Sequence, residues 1–277
     1  MKFFSLFLVV TSLLFASCQK EDTYPPLGNN TGTLLIKSVA VQNGETSTTT
    51  YSYTSDNKID VISTVGTSGG IDIGDYRKFY RDASGRIVKI AHKIPPQSGV
   101  EVDTAFTYVY YPNATTLNYN NTVMKLSVSG FDVNDSTLYT YNGNNQITEG
   151  YTYESSPLFG PVQEIRFVYT YDAAGNVTKI EGYNNATGTM QLSVTFDLEY
   201  DDKNNPLAFD QEVLLITGGA PGSSKNNVTV AKFKDVNNTD TQTITNTYTY
   251  GANGLPEKMV SVDDSDNSTT TTTFYYQ

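Results

Sequence analysis

The residues able to do chemistry are few in this chain: one cysteine, one histidine and scattered carboxylates. A zinc site would have to join His92 to carboxylates alone, because there is no second histidine. Ser-His-Asp catalysis would also depend on His92, and no Gly-x-Ser-x-Gly elbow is present. His92, just before Pro95-Pro96, therefore reads as a surface or turn-flanking residue. A glycosidase needs two acids facing each other across a cleft. The candidates Glu199, Asp201-Asp202 and Asp263-Asp264 lie near turns or in polar runs, where acids usually solvate the tips. Asp263, Asp264, Asp266 and Asn267 could approach calcium, but they lack the glycine and terminal glutamate of an EF-hand loop. An acidic hairpin tip is the simpler reading. Neither a catalytic group, a metal site nor a cofactor is expected, and the chain reads as a non-enzyme.

Cys18 is different, because its context is organised. Met1-Lys2 is a short charged start, Phe3 to Ala16 is an apolar run of 14 residues, and Ala16-Ser17 supplies small residues before the thiol. That is the layout of a secretory signal, and the run is too short for a comfortable membrane span. The segment Leu14-Phe15-Ala16-Ser17-Cys18 resembles the lipobox of bacterial lipoproteins. The resemblance implies cleavage before Cys18 and acylation of its thiol and new amine by palmitate-type chains. Phe15 stands where leucine is usual. Gln19-Lys20-Glu21-Asp22 resembles the signal that sends Bacteroidetes lipoproteins to the outer face of the outer membrane. The expected organisation is a signal peptide over 1–17, a lipidated cysteine and tether over 18–33, and one domain over 34–277. With its only thiol acylated, the domain has no disulfide to lean on.

Cleavage leaves 260 residues, enough for a real core, and moves the formal charge from −11 to −12. Such an acidic chain argues against nucleic acid as a partner. With 21 tyrosines, 13 phenylalanines and no tryptophan, and with threonine and asparagine abundant, the composition favours strands and tight turns.

A repeat organises these residues. Two aromatics at i and i+2, a polar turn and an apolar residue recur along the chain. The best copy is Tyr169-Thr170-Tyr171 with Asp172-Ala173-Ala174-Gly175. The second aromatics are read at 53, 80, 110, 141, 171, 200, 250 and 276, mostly about thirty residues apart. Alternation puts both rings of a pair on one sheet face. Asp closes the turn, and Gly or Asn takes the left-handed position of a G1 bulge. About seven hairpin units of about thirty residues predict an all-β fold: an extended, twisted and curled antiparallel meander sheet. No helix is expected after the leader. The one 50-residue gap, over 201–247, is a decorated or degenerate repeat whose most flexible-looking part is Gly218 to Ser224.

The turn-centred motif Tyr169 to Ile180 resembles the YD repeat of RHS-type proteins, and more closely the YD-like domain of secreted Bacteroidetes lipoproteins of unknown function. The resemblance implies an extended sheet in the cell envelope and no active site. Asp103-Thr104-Ala105 and Asp135-Ser136-Thr137 resemble the short O-glycosylation motif of Bacteroidetes, at Thr104 and Ser136. Tyr139, Tyr141, Tyr169, Tyr171, Tyr248 and Tyr250 form a candidate binding face if their rings are exposed, since tyrosine suits sugar stacking and protein contact. The expected function is a non-enzymatic, lipid-anchored outer-membrane module, displayed on the cell exterior, that binds a glycan or an envelope protein. A structural, adhesin-like component acting through strand edges is the alternative. A glycan hydrolase is the remote one.

Overall fold

The computed structural model describes residues 33–68, 70–93, 105–128, 131–155, 163–185, 188–208, 212–217, 224–236 and 241–277. Cys18, Gln19 to Asp22, the tether, Thr104, Pro95-Pro96, Pro157, Pro161 and residues 218–223 lie outside them. Strands come in hairpins along the whole domain. The first eight are β1 (Leu35–Gln42), β2 (Glu45–Tyr53), β3 (Ile59–Ser68), β4 (Ile71–Arg81), β5 (Ile87–Lys93), β6 (Ala105–Tyr110), β7 (Asn121–Val128) and β8 (Phe131–Tyr141). Then follow β9 (Ile147–Ser155), β10 (Gln163–Tyr171), β11 (Val177–Asn184) and β12 (Gln191–Asn204). A short helix, α1 (Val213–Thr217), separates these from β13 (Asn226–Asp235), β14 (Thr241–Tyr250), β15 (Pro256–Asp263) and β16 (Thr269–Tyr276).

Each strand pairs antiparallel with its neighbours in sequence, as a meander should. The sheet is not an open ribbon, however. β1 pairs with β16, from Leu35 opposite Tyr276 to Gln42 opposite Thr270, and closes a barrel of sixteen strands. Twist accumulates over so many strands, and closure satisfies the two edges that an open sheet would leave bare.

The turns after the aromatic pairs all lie at one end. In the best-formed ones a left-handed residue follows a type I turn: Asn57, Gly85, Asn145, Gly175 and Gly254 have φ between 60° and 93°. A register shift then marks the bulge at the start of the return strand, as between Thr170 and Tyr171. Asp82, Asn142 and Asp172 each accept the backbone N–H four residues on, so the side chain holds the loop shut. These hydrogen bonds hold both turn carboxylates below the usual range; burial of Asp82 and Asp172, the largest single influence, works the other way.

At this end the inward hydroxyls serve the backbone. Tyr53 donates to the Leu35 carbonyl at 2.7 Å, Tyr111 to Ile87 at 2.9 Å, Tyr141 to Tyr119 at 2.6 Å and Tyr171 to Ile147 at 2.7 Å. Tyr200 donates to Val177 at 2.5 Å, Tyr248 to Val228 at 3.0 Å and Tyr276 to Pro256 at 2.6 Å. In the remaining unit the guanidinium of Arg81 donates to Ile59 at 3.3 Å. Six of these bonds join one hairpin tip to the preceding one, and those of Tyr53 and Tyr276 do the same on either side of the β1–β16 seam, so a belt of side-chain donors seals the junctions around the barrel. The pattern corrects the sequence register at two positions. Tyr80 and Tyr110 point outward, 45% and 48% exposed, and the inward positions belong to Arg81 and Tyr111.

The insertion before β13 fills the same end. Leu215 and Ile216 of α1 are buried against Ile59, Ile62, Phe79, Ile87, Ile90, Val109, Tyr119 and Ile147. Polar latches hold this plug. Arg81 meets Glu212 at 2.6 Å, the Ile87 N–H donates to Glu212 at 2.8 Å, and Arg77 donates to the Ile216 carbonyl at 2.5 Å. Asn176 and Asn226 bond reciprocally, and Ser224 accepts the Val177 N–H.

Candidate functional site

A cavity of about 680 Å³ lies inside the barrel, beyond the plug. Its floor is Leu214 and Leu215 of the plug with Ile90, Ile180, Tyr139 and Tyr169. Phe167, Val194, Phe196, Phe233 and Met124 add an apolar wall from β10, β12, β13 and β7. These residues point inward because strand alternation sends every second side chain to the lumen.

Glycine makes room for the rings. Gly150 lies opposite both Tyr139 and Phe167 in the ladders, and Gly182 opposite Phe167. A methyl at Gly182 would come within 2.6 Å of Val194, so the ring and valine there need its absence.

A hydroxyl belt crosses this lining. Thr122, Thr137 and Thr152 are direct partners across β7, β8 and β9. The hydroxyls of Thr137 and Thr152 are 2.8 Å apart, and Thr122 meets the Tyr139 hydroxyl at 3.3 Å. His92 stands beside the belt with Nε2 3.0 Å from the Thr107 hydroxyl. It is an inward, half-buried cavity residue, not a surface one. Burial, with help from Arg77, depresses its pKa, so the imidazole is held neutral. A largely apolar chamber with one band of hydroxyls, the His92 imidazole and the Asp135 carboxylate can hold a molecule whose bulk is apolar and which carries a polar group.

The six tyrosines read as a binding face are all inside. Tyr139 and Tyr169 reach the cavity; Tyr141, Tyr171 and Tyr248 spend their hydroxyls on backbone carbonyls, and Tyr250 bonds to Asp201. Burial raises the pKa of each, for Tyr171 to about 12. Ser136 sits mid-strand on β8 and donates to Asn121 at 3.2 Å.

The carboxylates go to separate duties. Glu199 pairs with Lys232, Asp202 with Lys203, and Asp201 accepts from Asn227 and Tyr250. Asp263 and Asp266 accept the Ser265 and Ser268 N–H groups at the β15–β16 tip, and Asp264 accepts that of Thr243 on β14. Among the described residues no cluster of three histidine, cysteine or acidic side chains could hold a metal. Sequence reasoning missed the chamber because its lining comes from strands brought together only by closure. The apolar residues of the insertion, Leu214 to Ile216, were the available signal.

The fold has solved relatives. A porin-like protein from Bacteroides vulgatus ATCC 8482 matches with a TM-score of 0.56 at 10% identity, covering 88% of this chain and 99% of that one. A porin-like protein from Bacteroides uniformis ATCC 8492 matches at 0.52 with 11% identity, covering 88% and 98%. At this identity the likeness is one of fold. No protein-family model and no curated protein matches the chain.

Proposed function

We propose that this barrel is a water-facing receptacle for an apolar or amphipathic small molecule, held at the outer membrane by lipid on Cys18. The observation that carries the reading is the charged outer wall around a cavity lined mostly by apolar groups. A barrel that spans a membrane turns an apolar band to lipid and keeps a polar lumen. Here rings and aliphatic groups make most of the cavity wall, and the pairs Arg77–Asp75 and Arg81–Glu212 stand at the plug. Further ion pairs stand on the outer face: Lys78–Asp60, Arg166–Glu149, Lys179–Glu181 and Lys232–Glu199. A lysine or arginine facing lipid at the bilayer midplane costs about 2–4 kcal/mol, so this wall suits water. A lumen that holds one ligand while strands face solvent is a known use of smaller barrels.

The six tyrosines chosen as a glycan-binding face are enclosed, and closure pairs both edges on which the adhesin reading relied. The tether supports an orientation. Leu34 and Gln277 bond to each other at the plugged end, so a lipid on Cys18 would bring that end to the membrane and turn the cavity away from it.

The binding test uses lipid-stripped protein and a fluorescent long-chain fatty acid. Saturable one-to-one binding is expected. A Cβ at Gly150 meets Tyr139 and Thr137 at ordinary contact distances, and Gly150 lines the cavity, so Gly150→Leu has room for its first carbon and should put the rest of its side chain into the chamber. It should weaken binding about tenfold, or ~1.4 kcal/mol. Equal binding by the variant would place the probe elsewhere and sink the cavity reading. The anchor has its own test: Cys18→Ser should abolish incorporation of a palmitate analogue and shift the protein from membrane to soluble fractions. Continued labelling would refute lipidation at that thiol.

A further inference from the structure

We propose that the outward face of β4–β7 is a docking surface for an acidic polysaccharide, separate from the barrel lumen. The strand registers lay out a chequerboard there. Tyr80, Lys89 and Tyr108 are direct neighbours in one row across β4, β5 and β6. In the next row Ala91 lies between Lys78 and Phe106, and Lys125 follows on β7. Tyr76 and Lys93 begin a third row.

The Lys89 ammonium lies 3.9 Å from the centre of the Phe106 ring, with Tyr80 at 5.4 Å and Tyr108 at 5.8 Å. Lys125 lies 5.6 Å from Tyr108, and Lys93 5.6 Å from Tyr76. Rings and cations therefore alternate at the strand spacing of about 4.8 Å.

This face gathers such lysines. Other outward cations meet carboxylates, as Arg166 meets Glu149, Lys179 meets Glu181 and Lys232 meets Glu199, or stand singly on separate strands, as Lys37, Lys234 and Lys258 do. Among the described residues, Lys89, Lys93 and Lys125 form no ion pair, although the chain is strongly acidic. A cluster of uncompensated cations on an acidic protein calls for an anion from outside. The rings give that anion a shape. A sugar offers C–H faces to aromatic rings, and its carboxylate or sulfate groups offer charge to the ammonium groups.

A polymer thread fits better than an anionic bilayer. The bilayer is a plane that meets the whole side of a molecule carrying a net charge of −11, and is repelled. A thread touches only the rows themselves.

Native affinity electrophoresis of the purified protein tests this, in gels containing polygalacturonate, chondroitin sulfate or neutral dextran. Both acidic polymers should retard the protein and dextran should not. The triple variant Lys89→Gln, Lys93→Gln, Lys125→Gln should bind at least tenfold more weakly, with unchanged thermal unfolding and unchanged fatty-acid binding in the lumen. The control Lys179→Gln, Lys232→Gln should behave as the parent. Lack of retardation, equal retardation by dextran, or full binding by the triple variant would overturn the proposal. So would binding confined to phosphatidylglycerol vesicles, which would make the face a bilayer contact.

Discussion

Glu212→Ala is expected to lower the stability of the barrel by about 3–5 kcal/mol, the range for breaking a buried pair from one side. The carboxylate has two partners at once. Oε2 meets the Arg81 guanidinium at 2.6 Å, and Oε1 accepts the N–H of Ile87 at 2.8 Å. The side chains of Arg81 and Glu212 are 11% and 17% exposed, and Ile87 is fully buried. Alanine would leave the Arg81 cation with carbonyl partners but no counter-charge, and strand a backbone donor, in a region water scarcely reaches. The plug, which rests on the same contact, should loosen with it. Urea unfolding gives the free energy. Glu212→Gln keeps an acceptor for Ile87 and should fall between the two. Removing both charges in Arg81→Met, Glu212→Gln should recover part of the loss, because no ion is then left unpaired. A loss below about 1 kcal/mol for Glu212→Ala, the size of an exposed pair, would show that the insertion is not latched there.

The same corner explains what the sequence could and could not disclose. Turn chemistry is local, so Asp172 to Gly175 and Asn142 to Asn145 announced their bulged hairpins, and the repeat gave the meander. Closure is not local. It depends on strand number, tilt and shear taken together, and no residue of β1 or β16 signals that the two will meet. The register at Arg81 was hidden for another reason. The repeated requirement is a hydrogen-bond donor that reaches a carbonyl of the preceding tip, not an aromatic ring. Arginine meets it, so searching for rings selected Tyr80 instead. At Tyr108-Val109-Tyr110-Tyr111 three tyrosines competed, and alternation alone did not tell which faced in. The plug was obscure because α1 has five residues, too few for a helical period to show. Its helix exists by packing against Ile59, Phe79 and Tyr119. The cavity followed from these hidden features and was illegible with them.

If inward phenols carry the tips, the barrel should fail cooperatively in alkali. Tyr53, Tyr141, Tyr171, Tyr200 and Tyr276 each donate a proton to a carbonyl, and a phenolate has none to donate. Burial raises all five pKa values above the ordinary 10, to about 12 for Tyr171 and Tyr200. The unfolded chain releases these protons near pH 10, while the folded chain holds them. Their stabilising contribution is therefore complete below pH 10 and is lost as pH rises through the folded-state values. Tyr51, Tyr111, Tyr119, Tyr139, Tyr169 and Tyr248 are shifted the same way and steepen the loss. Tyrosinate absorbance and far-ultraviolet circular dichroism should thus change together, in one transition between pH 10 and about 12. The acid side has no such term from these groups, since a neutral phenol stays neutral there. Stepwise ionisation of the buried rings with the β signal intact would mean that the hydroxyl belt is dispensable and that closure rests on the strand ladders alone.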